Sequence, residues 1–329
     1  MLTVFKKRPS IIIKAQEAKF KPHFLIQILI FLGVFLAIQV AMLIPLFIYG
    51  LIYILKIDGS EMLQTEDPDA LAEFLFRFRN ELILPALICT ALTTILTIIY
   101  CRAIEKRSLY SMGFVRKKAV KDYLAGAGIG IIMFGVAVLI AFLSGTLSYN
   151  GFVLGNGINL LLAFLVGFII QGMSEEVLLR GYFMVSVASK YSILLAVISN
   201  SLIFALLHIF NNGIALLPLI NLVLFGIFAS IYTLKMDSIW GISAIHTTWN
   251  FAQGNIFGIK VSGINAQVSL FSFKSSEAGK IINGGSFGLE GGLAVTTVLI
   301  LSIIIILSIE GRNLSNDINE THDLVNYEV

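Results

Sequence analysis

Gly172-Met173-Ser174-Glu175-Glu176-Val177-Leu178-Leu179-Arg180 is the stretch on which the reading of this chain turns. It sets two acids and an arginine directly after a run, residues 123–174, that contains no charged side chain. A charge at the bilayer centre costs about 2.5–3.5 kcal/mol on insertion scales, so charges within apolar spans are as a rule functional, paired or both. Successive side chains on a helix point in different directions, whereas i and i+4 share a face. Glu176 is therefore placed to pair with Arg180 as structural support. Glu175 is left without a sequence-local partner and is the candidate base. The acids are expected to belong to an intramembrane hydrolytic site.

Composition agrees with a membrane setting. The chain of 329 residues is 57% hydrophobic and 13% charged, with a mean hydropathy of +0.90. Soluble domains are about half apolar or less, so this is a polytopic membrane protein. The net charge of +3 says little by itself; its distribution says more. Residues 1–22 form a basic arm, with Lys6, Lys7, Arg8, Lys14, Lys19 and Lys21 against Glu17. The arm reads as a cytoplasmic topology signal rather than a nucleic-acid binder. The arm is longer, and the apolar run after it longer still, than in a cleavable signal peptide. Cys89 and Cys101 show neither metal-ligand spacing nor a disulfide framework.

Residues 23–122 hold two expected spans. The first, 24–55, is charge-free. It would extend roughly 48 Å at 1.5 Å per residue, so it must tilt, kink at Pro45 or protrude from a ~30 Å core. The second is 82–101. Between them lies an acidic external excursion, 56–81, whose part 70–78 is amphipathic and suited to a membrane surface. A basic internal loop, 102–122, follows, and the positive-inside rule puts it on the same side as the arm. Six further spans are expected at 123–143, 158–188, 193–210, 214–234, 239–257 and 293–309. They are separated by a glycine-rich outer turn at 144–157, an inner turn at Lys190-Tyr191-Ser192, an outer turn at Asn211-Asn212-Gly213 and an inner turn at Lys235-Met236-Asp237. A long, weakly hydrophobic loop, 258–292, precedes the last span, and a polar cytoplasmic tail, 310–329, is expected to be disordered. The expected fold is thus an all-α polytopic bundle of about eight transmembrane helices with both termini cytoplasmic. An open sheet is excluded as the spanning element, because lipid leaves its edge groups unsatisfied.

Two later spans carry further polar groups, Phe204-Ala205-Leu206-Leu207-His208 and His246-Thr247-Thr248-Trp249-Asn250. Each has a plain structural reading: an interfacial histidine for His208, and a hydrogen-bonding pair that joins helices for His246 and Asn250. Glu175 and Glu176 could likewise face solvent at a helix end. His23, at the start of the first span, and His322, in the tail, are set aside. An antiparallel hairpin about Tyr191 and Ser192 sets Glu175 level with His208, each roughly 25 Å from the turn, while His246 lies about 14 Å beyond Asp237. The depths agree only if the first hairpin protrudes into the cytoplasm or the helices tilt.

These residues match three ordered patterns, E-E-x-x-x-R, F-x-x-x-H and H-x-x-x-N. The chain resembles the CPBP family, the CAAX-protease and bacteriocin-processing membrane proteases, most clearly over 123–292. Ser108-Leu-Tyr-Ser-Met-Gly-Phe114 and the glycine-rich stretch 284–292 are also similar to that family. The resemblance implies a CPBP-like catalytic domain over 123–309 that hydrolyses a peptide bond of a membrane-associated protein or peptide. Carried over by residue, it implies that Glu175 activates a water, His208 holds or shares its proton, and His246 and Asn250 stabilise the oxyanion. A carboxylate removed from water is the stronger base, and donors fixed in a dry site act most strongly on developing charge. His208, His246 and Glu175 could make a three-ligand zinc site with an open position. The absence of an H-E-x-x-H pair argues instead for a water activated without metal or other cofactor. The substrate-binding residues are unread, and a CAAX end is not required of the substrate.

Two other function classes stay open at this point. Buried Glu and His also serve ion- or proton-coupled transporters, although no internal repeat is evident here. A non-catalytic immunity or scaffold membrane protein of the same family would keep the motifs without turnover. The expected location is a multi-pass position in a cell membrane, in style a bacterial plasma membrane.

Overall fold

The computed structural model describes residues 2–56, 67–155 and 157–311. Its helices are α1 (Ser10–Ala15), α2 (Phe24–Lys56), α3 (Pro68–Glu105), α4 (Ala119–Leu143), α5 (Ile158–Lys190), α6 (Ile193–Leu207), α7 (Leu216–Met236), α8 (Trp240–Phe251) and α9 (Leu293–Ser308). Of these, α2, α3, α4, α5 and α7 are long and apolar enough to cross a membrane by themselves, and α6 and α9 are shorter apolar helices. The chain is an all-α multi-pass bundle. Every expected span coincides with a helix. Residues 57–66, which hold Glu61 and Glu66 of the acidic excursion, and the tail from 312 onward, with His322, lie outside the described residues.

Local chemistry sets several boundaries. Asp67 caps α3 by accepting from the Asp69 amide at 3.0 Å, with Pro68 in the first helical position, where its missing N–H is harmless. Ser192 caps α6 by accepting from the Leu195 amide at 3.2 Å, which makes the turn after Lys190 tight. Three helical stretches are wound wider than an α-helix: Cys101–Glu105, Val177–Met184 and Ala252–Ile256. The second lies directly after the two acids and contains Arg180, and such π-type turns recur at functional sites.

The amphipathic part 70–78 is helical, within Pro68–Glu81 at the start of α3, and Phe74 is its buried residue. Phe74 and Phe78 stack with ring centroids 6.2 Å apart, and Phe78 packs on Tyr53 and over Gly50 of α2. The structure corrects one expectation: the glycine-rich turn and the long loop contain an antiparallel two-stranded sheet. Strand β1 (Leu147–Phe152) pairs with β2 (Phe271–Ser275) in the register Leu147↔Ser275 and Tyr149↔Phe273, with an irregularity between Tyr149 and Gly151. Each strand satisfies the other's backbone where no helix continues, at the end of the bundle where α4 stops and α5 starts.

Helix α8 is the hub. Every residue from Gly241 to Asn250 is buried, with α4 on one side and α5 on the other. Close approach depends on glycines. A Cβ at Gly126 of α4 would lie 2.1 Å from the Gly241 carbonyl oxygen, and one at Gly130 would lie 2.2 Å from Thr248 Oγ1. On α5, a Cβ at Gly172 would meet Thr247 Oγ1 at 2.6 Å. Small residues at such spacing let helix backbones meet where lipid offers no hydrophobic drive. Further along α5, Gly181 sits against Ile239, just before α8 begins, so Tyr182–Lys190 runs past the α7–α8 turn. The α5–α6 hairpin protrudes.

The basic arm is folded onto that protruding end. Arg8 donates to the Ala188 carbonyl at 2.5 Å and to the Tyr191 carbonyl at 3.1 Å, covering orphan groups at the end of α5. At the start of α1 the Ser10 and Ile11 amides donate to the Asp237 carboxylate at 2.9 and 3.0 Å. Ile11, Ile12 and Ala15 are fully buried.

Glycine packing around α8 yields a direct test. Gly126→Val and Gly130→Val are expected to destabilise the protein by about 1–3 kcal/mol through overpacking. Gly128→Ala, at a position with nothing within 4 Å of the added Cβ, should leave stability unchanged or slightly higher. Thermal unfolding in detergent checks both.

Candidate active site

The wide-wound part of α5 brings Arg180 and Glu176 together as the spacing predicts, with Arg180 Nη1 2.9 Å from Glu176 Oε1. Both side chains are fully buried. The pair has a third member that spacing alone does not show. His246 Nδ1 donates to the same Glu176 Oε1 at 2.9 Å, so the oxygen accepts from α5 and α8 at once. Arg180 Nη2 also reaches the Gly226 carbonyl of α7 at 3.5 Å, and its guanidinium lies 4.9 Å above the Phe204 ring. Phe204, the first residue of the second motif, thereby covers a buried cation with its ring face. It also packs edge-on toward His246, as does Phe225, at centroid distances of 6.3 and 5.2 Å.

With Nδ1 committed to Glu176, His246 turns Nε2 toward Glu175, whose Oε2 is 3.8 Å away. The depth mismatch foreseen between the two hairpins is resolved by the protrusion of α5. Glu175 keeps 28% of its side-chain exposure, whereas Glu176 keeps none. Glu175 lines a cavity of about 140 Å³ together with His208, His246 and Asn250; Glu176 does not. That volume has room for several waters. His208, half-buried at the end of α6, shares a 2.8 Å hydrogen bond between Nδ1 and the Phe204 carbonyl. A carbonyl only accepts, so Nδ1 carries a proton, and in the neutral ring Nε2 is the lone-pair nitrogen. The three motifs thus converge on one cavity, walled by aromatic and aliphatic side chains such as Phe164, Phe168, Phe225 and Leu87.

Within this geometry, residues 157–252 match the family model for type II CAAX prenyl endopeptidases, Rce1-like. This segment is similar to that family. No curated protein and no solved structure matches the chain. The matched segment contains all three motifs and is narrower than the 123–292 stretch of resemblance. The family described by that model is one of endopeptidases, and five helices of this chain are long and apolar enough to cross a membrane.

Two residues of this site lie outside the three motifs. Gln171 lines the cavity, donates from Nε2 to Glu175 Oε1, and accepts from Asn250 Nδ2 at 3.1 Å. Its signal was available, since it stands four residues before Glu175 and is the last polar side chain of long reach before it in a charge-free span. Glu290 is the second. Its carboxylate accepts from Trp249 Nε1 at 3.1 Å, from the Ser262 amide at 2.9 Å and from Ser262 Oγ at 2.8 Å. It fastens the turn that carries Val261, Ser262 and Ile264 over the cavity to α8. As the sole acid of the glycine-rich stretch 284–292, it too stood out in the sequence.

A zinc ion would need three donors converging at about 2.0–2.2 Å on one point. Among the described residues, no three His, Cys, Asp or Glu side chains are gathered in that way. The set Glu175, His208 and His246 therefore does not fit a three-ligand metal site in this arrangement.

The shared oxygen of Glu176 makes Arg180 indispensable to the fold. Arg180→Ala leaves a buried carboxylate without its cation and is expected to destabilise the protein by about 3–5 kcal/mol. Thermal unfolding in detergent, compared with the exposed-face control Gly128→Ala, measures the loss.

Proposed function

We propose that the chain hydrolyses a peptide bond in a membrane-associated protein or peptide, using a water activated by Glu175. The observation that carries this reading is that Glu175, His208, His246 and Asn250, from three helices, line one cavity with room for several waters. Glu175 is the acid that water can reach, and Glu176 is occupied in holding Arg180 and His246.

In the first step Glu175 accepts a proton from the water as its oxygen attacks the carbonyl carbon of the scissile bond. The carbonyl oxygen becomes an oxyanion. Asn250 Nδ2 donates to it, and His246 donates from Nε2 when its ring carries the second proton. Glu176 and Arg180 keep that ring oriented, in the manner of a buried carboxylate behind a catalytic histidine. In the second step the C–N bond breaks and the departing amine takes the proton from Glu175. Between the two steps His208 shares that same proton, taking it from Glu175 and giving it back before the C–N bond breaks. No metal takes part in either step. The protein is proposed to lie in a cell membrane, with the basic arm and loop 102–122 on the cytoplasmic face.

Comparison of membrane proteomes from cells with the native enzyme and with Glu175→Ala tests this reading. Cleavage products present with the native enzyme should vanish in Glu175→Ala and in His208→Ala, with turnover lower by about 10²–10⁴-fold. Both variants should unfold at nearly the native temperature. An unchanged set of peptide ends in either variant overturns the assignment.

A further inference from the structure

Gln171 is the group that joins the two halves of the site. It stands one turn before Glu175 on α5, on the same face, and reaches across to Asn250 on α8. The crossing is possible because the helices touch at the next residue: a Cβ at Gly172 would lie 2.8 Å from the Thr247 amide nitrogen. We propose that Gln171 is a positioning residue that sets the hydrogen-bond polarity of the site, aiming the Glu175 carboxylate and turning the N–H side of Asn250 into the cavity. The inference rests on the peptidase reading above.

The polarity follows from what each group can do. An ionised carboxylate only accepts, so Gln171 must present its NH₂ group to Glu175. The carbonyl end of the same amide then faces Asn250. A carbonyl also only accepts, so Asn250 must answer with its own NH₂ group, as it does at 3.1 Å. That group has two hydrogens. One is held by Gln171, and the other is free for the cavity that Asn250 lines. In the reversed orientation the Asn250 carbonyl would oppose both the Gln171 carbonyl and the oxyanion forming in the cavity. The charge on Glu175 thus dictates, through one intervening amide, that Asn250 is a donor. The base and the oxyanion donor are set by a single hydrogen-bonded chain.

The test uses the full-length protein in detergent micelles, with a quenched fluorogenic peptide library, prenylated and unprenylated, as probe. Gln171→Leu removes the chain, and the nearly isosteric Gln171→Glu replaces the donor facing Glu175 with an acceptor. Both are expected to lower kcat by about 10²–10³-fold, the effect of losing one oxyanion donor, with KM little changed. Asn250→Ala should fall by a similar factor. The double variant Gln171→Leu/Asn250→Ala should lose less than the product of the single losses, because both changes act on the same donor. Thermal unfolding reports folding, and Gln171→Glu carries the test if Gln171→Leu does not fold. Native kcat in both Gln171 variants, beside a slow Asn250→Ala, overturns the positioning role alone. So does a raised KM with kcat intact, or losses that multiply. Native kcat in Asn250→Ala overturns the oxyanion role and this inference with it. A native enzyme that cleaves no library member overturns the peptidase reading.

Discussion

Everything in this structure is arranged around one carboxylate oxygen. Glu176 Oε1 accepts from Arg180 on its own helix and from His246 on α8, both at 2.9 Å, in a place without solvent. Charges in such surroundings must be compensated, so α5 and α8 have little freedom to rotate or slide against one another. The Phe204 ring over Arg180 and the Gly226 carbonyl at its other edge bring α6 and α7 into the same register. The neighbouring acid inherits its position from this arrangement. With Glu176 turned inward, helical geometry turns Glu175 outward to the cavity.

The helices and the identity of the polar cluster were legible in the sequence, because both follow from local rules. Charge-free runs of the right length announce spans, and an acid four residues before an arginine announces a pair. What was not legible depends on neighbours distant in the chain. Nothing local to Glu176 reveals that His246, seventy positions away, takes the same oxygen. Nothing local to Phe204 reveals that its ring covers Arg180. The sheet between β1 and β2 is illegible for the same reason: β1 lies in a glycine-rich turn and β2 in a weakly hydrophobic loop more than a hundred residues later, and only the pairing makes either a strand.

The glycine-rich stretch near the end of the chain illustrates a different limit. Its composition suggests a loose connection, yet Glu290 receives three hydrogen bonds, and Asn221 on α7 donates to the Glu290 and Gly292 carbonyls at 2.7 and 3.0 Å. The glycines are there for closeness: a Cβ at Gly288, which has φ of +102°, would lie 2.1 Å from the Lys260 carbonyl oxygen. The result is a roof on the cavity rather than a linker. The cavity thus has a floor of charges, walls of aromatic rings and a roof of backbone, contributed by segments that sequence order keeps far apart.

The docked arm has a consequence for how the molecule is made. Ser10 and Asp237 are separated by 227 positions, and Arg8 grips carbonyls of Ala188 and Tyr191. During synthesis, α1 emerges long before either of its binding sites exists. The arm can settle only after α7 has been inserted and the turn at Asp237 has formed. Its docking therefore comes late in assembly, and by tying the α5–α6 and α7–α8 turns together it closes that end of the bundle once the helices that line the cavity are in place.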